Sequence, residues 1–193
     1  MPTRRMNPHD PADAALPLMV RLTGRRCVVI GGGAVGTRRA RRLAEHGADV
    51  VVISPDITSG IADLQQRGVL AEVRRRAYVP DDLEGCLIAV AATSDRAVNA
   101  RVARDARAAG VLCNVADAPA EGDVVVPAAG SRGRLTMAVS TSGASPVAAG
   151  VARDRALDAL GPGWEAALDA LAELRPQLTA TYPAAEDLRA AVG

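Results

Sequence analysis

The sequence predicts an α/β fold, a doubly wound parallel sheet followed by a small strand-containing segment and a helical C-terminal region. Three observations carry this expectation. From Arg26 to about Asn114, short apolar runs alternate with alanine- and arginine-rich stretches of helical length. Glycines at positions 47, 68 and 110 close those stretches, as residues suited to the left-handed turn at a helix end. After Pro119 the alternation stops and two apolar runs follow one another without a helix between them. Strands separated by helices pair in parallel through right-handed crossovers, so the first part reads as a parallel sheet with helices on both faces.

The elements follow in order. Cys27-Val28-Val29-Ile30 is a buried first strand running into glycines. Ala34 to His46 reads as a helix, with Val35, Leu43 and Ala44 available for its inward face. Val50 to Ile53 is the second strand, and Ile57 to Arg67 the next helix. Leu70 to Val73 and Leu87 to Ala91 are the third and fourth strands. Asp95 suits the N-cap of a helix that runs to Ala109, because its carboxylate can accept the free N–H groups of the first turn. Val111 to Val115 is the fifth strand. Beyond it, Val124-Val125-Val126 and Leu135 to Val139 read as a strand pair joined by a Gly/Ser/Arg turn. From Pro146 the chain is helix-forming, with breaks expected at 161–163, Pro176 and Pro183.

Composition narrows the function classes. The chain has 193 residues, a formal net charge of +1, no phenylalanine, and arginine at every one of its 23 basic positions. Without lysine there is no Schiff-base enzyme, no Walker-type phosphate loop and no Tyr-x-x-x-Lys dehydrogenase. Trp164, Tyr78 and Tyr182 are the only aromatics, too few for a single-strand stacking platform, and the near-zero charge argues against nucleic acid as a partner. No apolar run reaches the roughly 18 residues of a membrane span. Cys27, Cys86 and Cys113 are isolated, and the polar, proline-rich first 17 residues lack the apolar core of a secretion signal, so a reducing cytoplasm is the expected location. Cys113 reads as a buried strand thiol, and neither His9 nor His46 stands in metal-ligand spacing with a cysteine.

The chemistry begins at Gly31-Gly32-Gly33-Ala34-Val35-Gly36, which matches G-x-G-x-x-G between a strand and a helix, the context this motif requires. Gly31 allows the tight turn, Gly33 lets a pyrophosphate approach the backbone, and Gly36 lets the helix pack on the strand. Ala34 and Val35 then open the helix whose free N–H groups face the phosphates. The domain is therefore expected to be of Rossmann type and to bind a dinucleotide. Pro55 and Asp56 fall where the adenosine half would lie, and an acid there favours NAD over NADP by bonding the ribose. Asp56 read blandly is a loop residue at a helix start. Ala92 and Thr93 follow the fourth strand at the same carboxyl edge.

Three further stretches narrow the reading: Ala91-Ala92-Thr93-Ser94-Asp95, Asn114-Val115-Ala116-Asp117-Ala118-Pro119, and Ser140-Thr141-Ser142-Gly143-Ala144-Ser145-Pro146. With the glycine turn they resemble the precorrin-2 dehydrogenase / sirohydrochlorin ferrochelatase family, the N-terminal part of siroheme synthases, over about residues 16 to 160. The resemblance implies a homodimeric, NAD-dependent enzyme of siroheme or cobalamin biosynthesis. Such an enzyme oxidises precorrin-2 to sirohydrochlorin and in some members also inserts ferrous iron. It places the family's important aspartate at Asp117, and at Thr141 a position whose serine carries phosphate in some siroheme synthases.

The residues give this chemistry a shape. Asp117 follows the fifth strand on the glycine-turn edge and could accept a proton as a hydride leaves. Read blandly, it is a turn aspartate before Ala118-Pro119. Asn114, Arg132, Ser140, Thr141, Ser142 and Gly143 are the candidate substrate contacts, because guanidinium, hydroxyl and N–H groups suit a substrate rich in carboxylates. A solvated face and a plain helix-capping loop are their structural alternatives. The chain accordingly divides into a flexible leader (1–17), an NAD-binding domain (18–117), a strand-pair segment for dimerisation and substrate (118–146) and a helical region (147–193). A non-enzymatic NAD-sensing module and a chelatase without the redox step stay open beside the dehydrogenase.

Overall fold

The computed structural model describes residues 15–161 and 163–181; residues 1–14 of the expected leader (1–17), Tyr182 and Pro183 lie outside them. The elements are β1 (Arg26–Gly32), α1 (Ala34–Glu45), β2 (Asp49–Ile57), α2 (Ser59–Gln66), β3 (Glu72–Arg74), β4 (Ile88–Ala91), α3 (Arg96–Ala109), β5 (Leu112–Val115), β6 (Ala128–Arg132), β7 (Leu135–Val139), α4 (Pro146–Ala159) and α5 (Gly163–Thr181). Short 3-10 turns occupy Pro80–Leu83 and Pro119–Glu121.

The first five strands form one parallel sheet in the order β3-β2-β1-β4-β5. Alternate side chains of each strand point to opposite faces, and both faces are covered. Val28, Ile30, Val51, Ile53, Ala89, Ala91, Cys113 and Val115 meet Val102, Ala103 and Ala106 of α3 on one side. Cys27, Val29, Val50, Val52, Ile88 and Val90 meet Ala40 of α1 and Ile61 and Leu64 of α2 on the other. The sheet is thus doubly wound, with a core of valine, isoleucine and alanine. Burial of each such valine or isoleucine contributes about 1.5–3 kcal/mol. The helix caps follow the expected chemistry at α3, where Asp95 accepts the Ala97 and Val98 N–H groups and Gly110 closes the helix in the left-handed conformation.

Several boundaries differ from expectation. β2 runs to Ile57, so Asp56 lies in the strand and not in a loop beyond it. β3 pairs with β2 only as far as Ile53, and β1 resumes pairing at Gly32–Ile57 after a register shift. Pro55 therefore falls in the gap, where its missing N–H breaks no ladder bond. β3 itself occupies Glu72–Arg74, two residues beyond the expected start. Val124–Val126 is not a strand. Asp123 and Val124 instead donate their backbone N–H groups to the Cys113 carbonyl, and Asn114 Nδ2 donates to the Val124 carbonyl. The strand that pairs with β7 starts at Ala128, because the two-residue Gly133-Arg134 turn sets Arg132 opposite Leu135 and counts back from there. Finally, α5 continues through Pro176. None of its described residues is buried, so water can take the carbonyl that proline leaves unpaired.

The chain forms two compact units, one through Val126 and one from Pro127 onward. The first unit extends to Val126 because Asp123 and Val124 are hydrogen-bonded back to Cys113 and Asn114 of β5. In the second unit the antiparallel β6–β7 hairpin packs against α4, where a Cβ at Gly130 would stand 3.0 Å from Arg153 Cδ and Leu157 Cδ1. Among the described residues, no helix is long and apolar enough to cross a membrane.

Candidate functional site

The carboxyl edge of the sheet opens into a cleft of about 550 Å³ lined by Gly31–Gly33 at the end of β1, Ser54–Asp56 at the end of β2, Ala77 and Tyr78 after β3, and Ala92–Asp95 after β4. β1 and β4 are neighbours whose connections leave in opposite directions, the place where ligands settle in open α/β sheets. The glycines divide the work. Gly31 has φ +120°, and a Cβ there would lie 2.4 Å from the Ala92 carbonyl oxygen. A Cβ at Gly36 would lie 1.9 Å from the Gly31 carbonyl oxygen. Both glycines are therefore demanded by packing. Gly33 differs, since a Cβ there would meet nothing within 4 Å. Its missing side chain faces open space at the start of α1, and no side chain caps that helix. The first N–H groups of α1, with Ala34 and Val35 exposed at its opening, are left for an anion.

The turn is braced from outside the motif. Thr58 donates through its backbone N–H (2.9 Å) and its hydroxyl (3.0 Å) to the Gly32 carbonyl. Thr37 Oγ1 donates to the Gly33 carbonyl at 2.9 Å and lies 3.0 Å from Thr58 Oγ1. Both threonines escaped the sequence reading, although Thr37 sits one residue past the motif. Asp56 is exposed at the cleft wall and beside Pro55, where a ribose hydroxyl could reach its carboxylate.

The far wall carries a third unforeseen residue. Asn99 of α3 is wholly buried. Its Oδ1 accepts from the Thr93 N–H (3.1 Å) and lies 2.8 Å from Thr93 Oγ1. Its Nδ2 donates to the Thr93 carbonyl and to Asp117 Oδ1, both at 3.0 Å. A signal was present in the sequence: Asn99 is the one amide on the stripe formed by Val102, Ala103 and Ala106.

Asp117 itself is partly exposed, at 42%. Arg96 Nε stands 3.8 Å from its other oxygen, and Arg96 also pairs with Glu121. The carboxylate is thus held by one neutral donor and one cation, yet open to solvent. Asn114 is buried at 3% exposure, and its Nδ2 is used by Val124. That geometry makes it a support for residues 118–126 and leaves its Oδ1 without a protein partner. Cys113 and Cys27 are fully buried, and burial pushes each thiol up to about 11, which makes them poor nucleophiles.

The remaining candidates belong to the second unit. Arg132 pairs with Asp158 at 3.5 Å. Thr141 Oγ1 accepts from the Ser145 N–H and donates to the Ser145 carbonyl. Ser142 has φ +49°, its N–H donates to Ser140 Oγ, and Gly143 follows at φ +81°. Ser145 caps α4 by accepting the Ala148 N–H. Thr141 is thus engaged in closing the loop, whereas the Ser142 and Gly143 backbone is held in a tight, half-exposed turn. Among the described residues, no three His, Cys, Asp or Glu side chains gather to hold a metal ion.

The cleft fits a dinucleotide: an uncapped helix start, an open glycine and an acid on the neighbouring strand. Comparison with known proteins agrees. Residues 18–128 match the model of a family described as "Putative NAD(P)-binding". The siroheme synthase of Azotobacter vinelandii is 43% identical over 140 residues, covering 72% of this chain and 30% of that protein. The siroheme synthase of Pseudomonas entomophila is 40% identical over 169 residues, covering 87% of this chain and 36% of that protein. The chain spans about a third of the length of these curated relatives. Among solved structures, SirC, a precorrin-2 dehydrogenase, superposes with a TM-score of 0.68 at 28% identity, over 91% of this chain and 86% of that one. The chain therefore belongs to this NAD(P)-binding family, with siroheme synthases and a precorrin-2 dehydrogenase among the proteins it is similar to.

Proposed function

We propose that this protein oxidises precorrin-2 to sirohydrochlorin with NAD as the electron acceptor. The observation that carries the reading is the placement of Asp117. It stands on the carboxyl edge of the sheet that bears the glycine turn, and Asn99 ties it to Thr93 in the wall of the cleft. Bound in the cleft, NAD supplies a two-electron hydride acceptor. Gly33, Ala34 and Val35 would hold its pyrophosphate on a turn that Gly31 and Gly36 allow to form, Pro55 and Asp56 would hold its adenosine end, and Ala92 and Thr93 would form the wall beyond. Asp56 favours NAD, since a carboxylate bonds a free 2′-hydroxyl and repels a 2′-phosphate.

Conversion of precorrin-2 to sirohydrochlorin removes one hydride and one proton and leaves a new double bond in the macrocycle. Asp117 receives the proton, and its exposure lets the proton pass to water. Arg132 and the Ser140–Gly143 turn are the candidate contacts for the substrate's carboxylates, and Asn114 supports residues 118–126, which follow Asp117. Two identical chains form the working unit, and the expected location is the cytoplasm, in keeping with three free cysteines.

The test supplies enzymatically made precorrin-2 with NAD and follows NADH formation and the pigment spectrum. NADH appearing in step with sirohydrochlorin is expected; active, folded protein that makes none would sink the reading. A second run gives sirohydrochlorin and ferrous or cobalt ions to the same protein. Metal insertion there assigns the chelatase step as well, with Asp117 as acceptor of the pyrrole protons; its absence restricts the chain to oxidation.

A further inference from the structure

We infer that Asn99 is a positioning residue for the oxidation, a buried amide that locks the proton-accepting carboxylate to the cofactor loop. The inference rests on the proposed role of Asp117. Burying an amide costs several kcal/mol unless its hydrogen bonds are made, and the rest of the inward face of α3 is valine and alanine. Asn99 makes all of its bonds, and their distribution is specific. Three contacts hold the backbone and hydroxyl of Thr93, and the fourth goes to Asp117 Oδ1. One planar group therefore fixes the distance between the loop that lines the cleft and the carboxylate that follows β5. The amide orientation is dictated by its partners, since only Oδ1 can accept the Thr93 N–H and only Nδ2 can donate to a carboxylate.

The groups facing Asp117 are few. Arg96 approaches its second oxygen and is itself shared with Glu121. Arg96 is 44% exposed, and water screens it. Asn99 is fully buried and donates along a fixed line. It follows that Asn99 fixes Oδ1 of Asp117 along one line and leaves Oδ2, 3.8 Å from Arg96 Nε, as the oxygen that receives the proton.

The discriminating variant is Asn99→Asp. It keeps an oxygen for the Thr93 N–H but places a second carboxylate against Asp117, and two such groups share a proton. The acid limb of the kcat profile is expected to move to higher pH by about one unit, a tenfold loss of rate at a fixed pH below it. Asn99→Ala is expected to lower kcat more than it raises KM for NAD. A fall in melting temperature with the pH limb unmoved would overturn the inference and leave Asn99 a structural amide. A measurement independent of turnover accompanies these. In ¹⁵N spectra the Asn99 side-chain amide should shift as wild-type Asp117 titrates, and lose that response in Asp117→Ala. A missing response in the wild type overturns the contact. A response in the wild type together with full turnover by Asp117→Ala overturns the role of Asp117 as base and, with it, this role of Asn99.

Discussion

Gly33 and Gly36 stand three residues apart in one motif and do opposite jobs, which makes them separable by mutation. At Gly33 a methyl group meets no protein atom, and φ is −78°, ordinary for any residue. Gly33→Ala should therefore leave the melting temperature almost unchanged while weakening NAD about tenfold or more, about 1.4 kcal/mol, as the methyl intrudes on the pyrophosphate. Gly36→Ala should do the reverse in origin: its Cβ would stand 1.9 Å from a backbone oxygen, and the turn must open at a cost of about 3 kcal/mol. Thermal melts with and without NAD separate the two effects. Asp117→Asn should bind NAD normally, since the residue lies outside the glycine turn, and lose about a hundredfold or more in turnover. Titration calorimetry with NAD beside a precorrin-2 assay checks both halves; normal turnover removes Asp117 from the chemistry.

Among the described residues, the one buried charged side chain, Asp82, lies in the 3-10 turn at Pro80–Leu83. Asp82 is only 1% exposed and takes hydrogen bonds from Arg74 (3.0 Å), Arg76 (2.8 Å) and the Val79 N–H (3.0 Å). Burial pushes its carboxyl up, but the Arg76 guanidinium, the Val79 amide and Arg74 more than offset this and leave it below the usual carboxylate range. The sign of the pH effect follows. A folded-state value below the unfolded one gives stability that is present in full above about pH 4 and is lost as pH falls through the depressed value. Asp82→Asn should cost about 2 kcal/mol at neutral pH, and the difference from wild type should shrink in acid. Denaturant melts across pH check this; a constant difference would refute it. Nothing in the sequence singled out Asp82, because its partners converge only once β3 and the turn are folded. The same limit explains the other misses. Strand and helix identity in the sheet was legible, since alternating burial on two faces leaves continuous apolar runs such as Val50–Ile53. The end of β2 was not, because Pro55 and Asp56 look like loop residues until the register gap that admits them is known. Val124–Val126 has strand composition, but its N–H partner is the Cys113 carbonyl and not a neighbouring strand. At the site, the glycine turn was legible as a motif between strand and helix, and Asp117 was named by the family resemblance, whereas Asn99 and Thr58 act through contacts made across the fold.

For the molecule as a whole, the second unit poses the sharper question, because it buries so little. Within α4 only Ala149 is buried, and the described residues of α5 bury none. The face of α4 that carries Arg153 and Leu157 meets the hairpin at Gly130. Val147 and Val151 lie on a different face, one helical turn apart, and are 77% and 46% exposed. Trp164, the one tryptophan, is 47% exposed. A strand pair with a helix is a thin structure to stand alone, and apolar side chains exposed in sequence-adjacent helices mark an interaction surface. A homodimer joined through these helices accounts for both facts. Sedimentation equilibrium of the wild type should then give a dimer. The double variant Val147→Asp, Val151→Asp should shift it toward monomer and should leave NAD binding by the first unit within about twofold, since the cleft lies wholly before Val126. A wild type that sediments as a monomer at all concentrations, or a double variant that remains a dimer, would remove α4 from the interface.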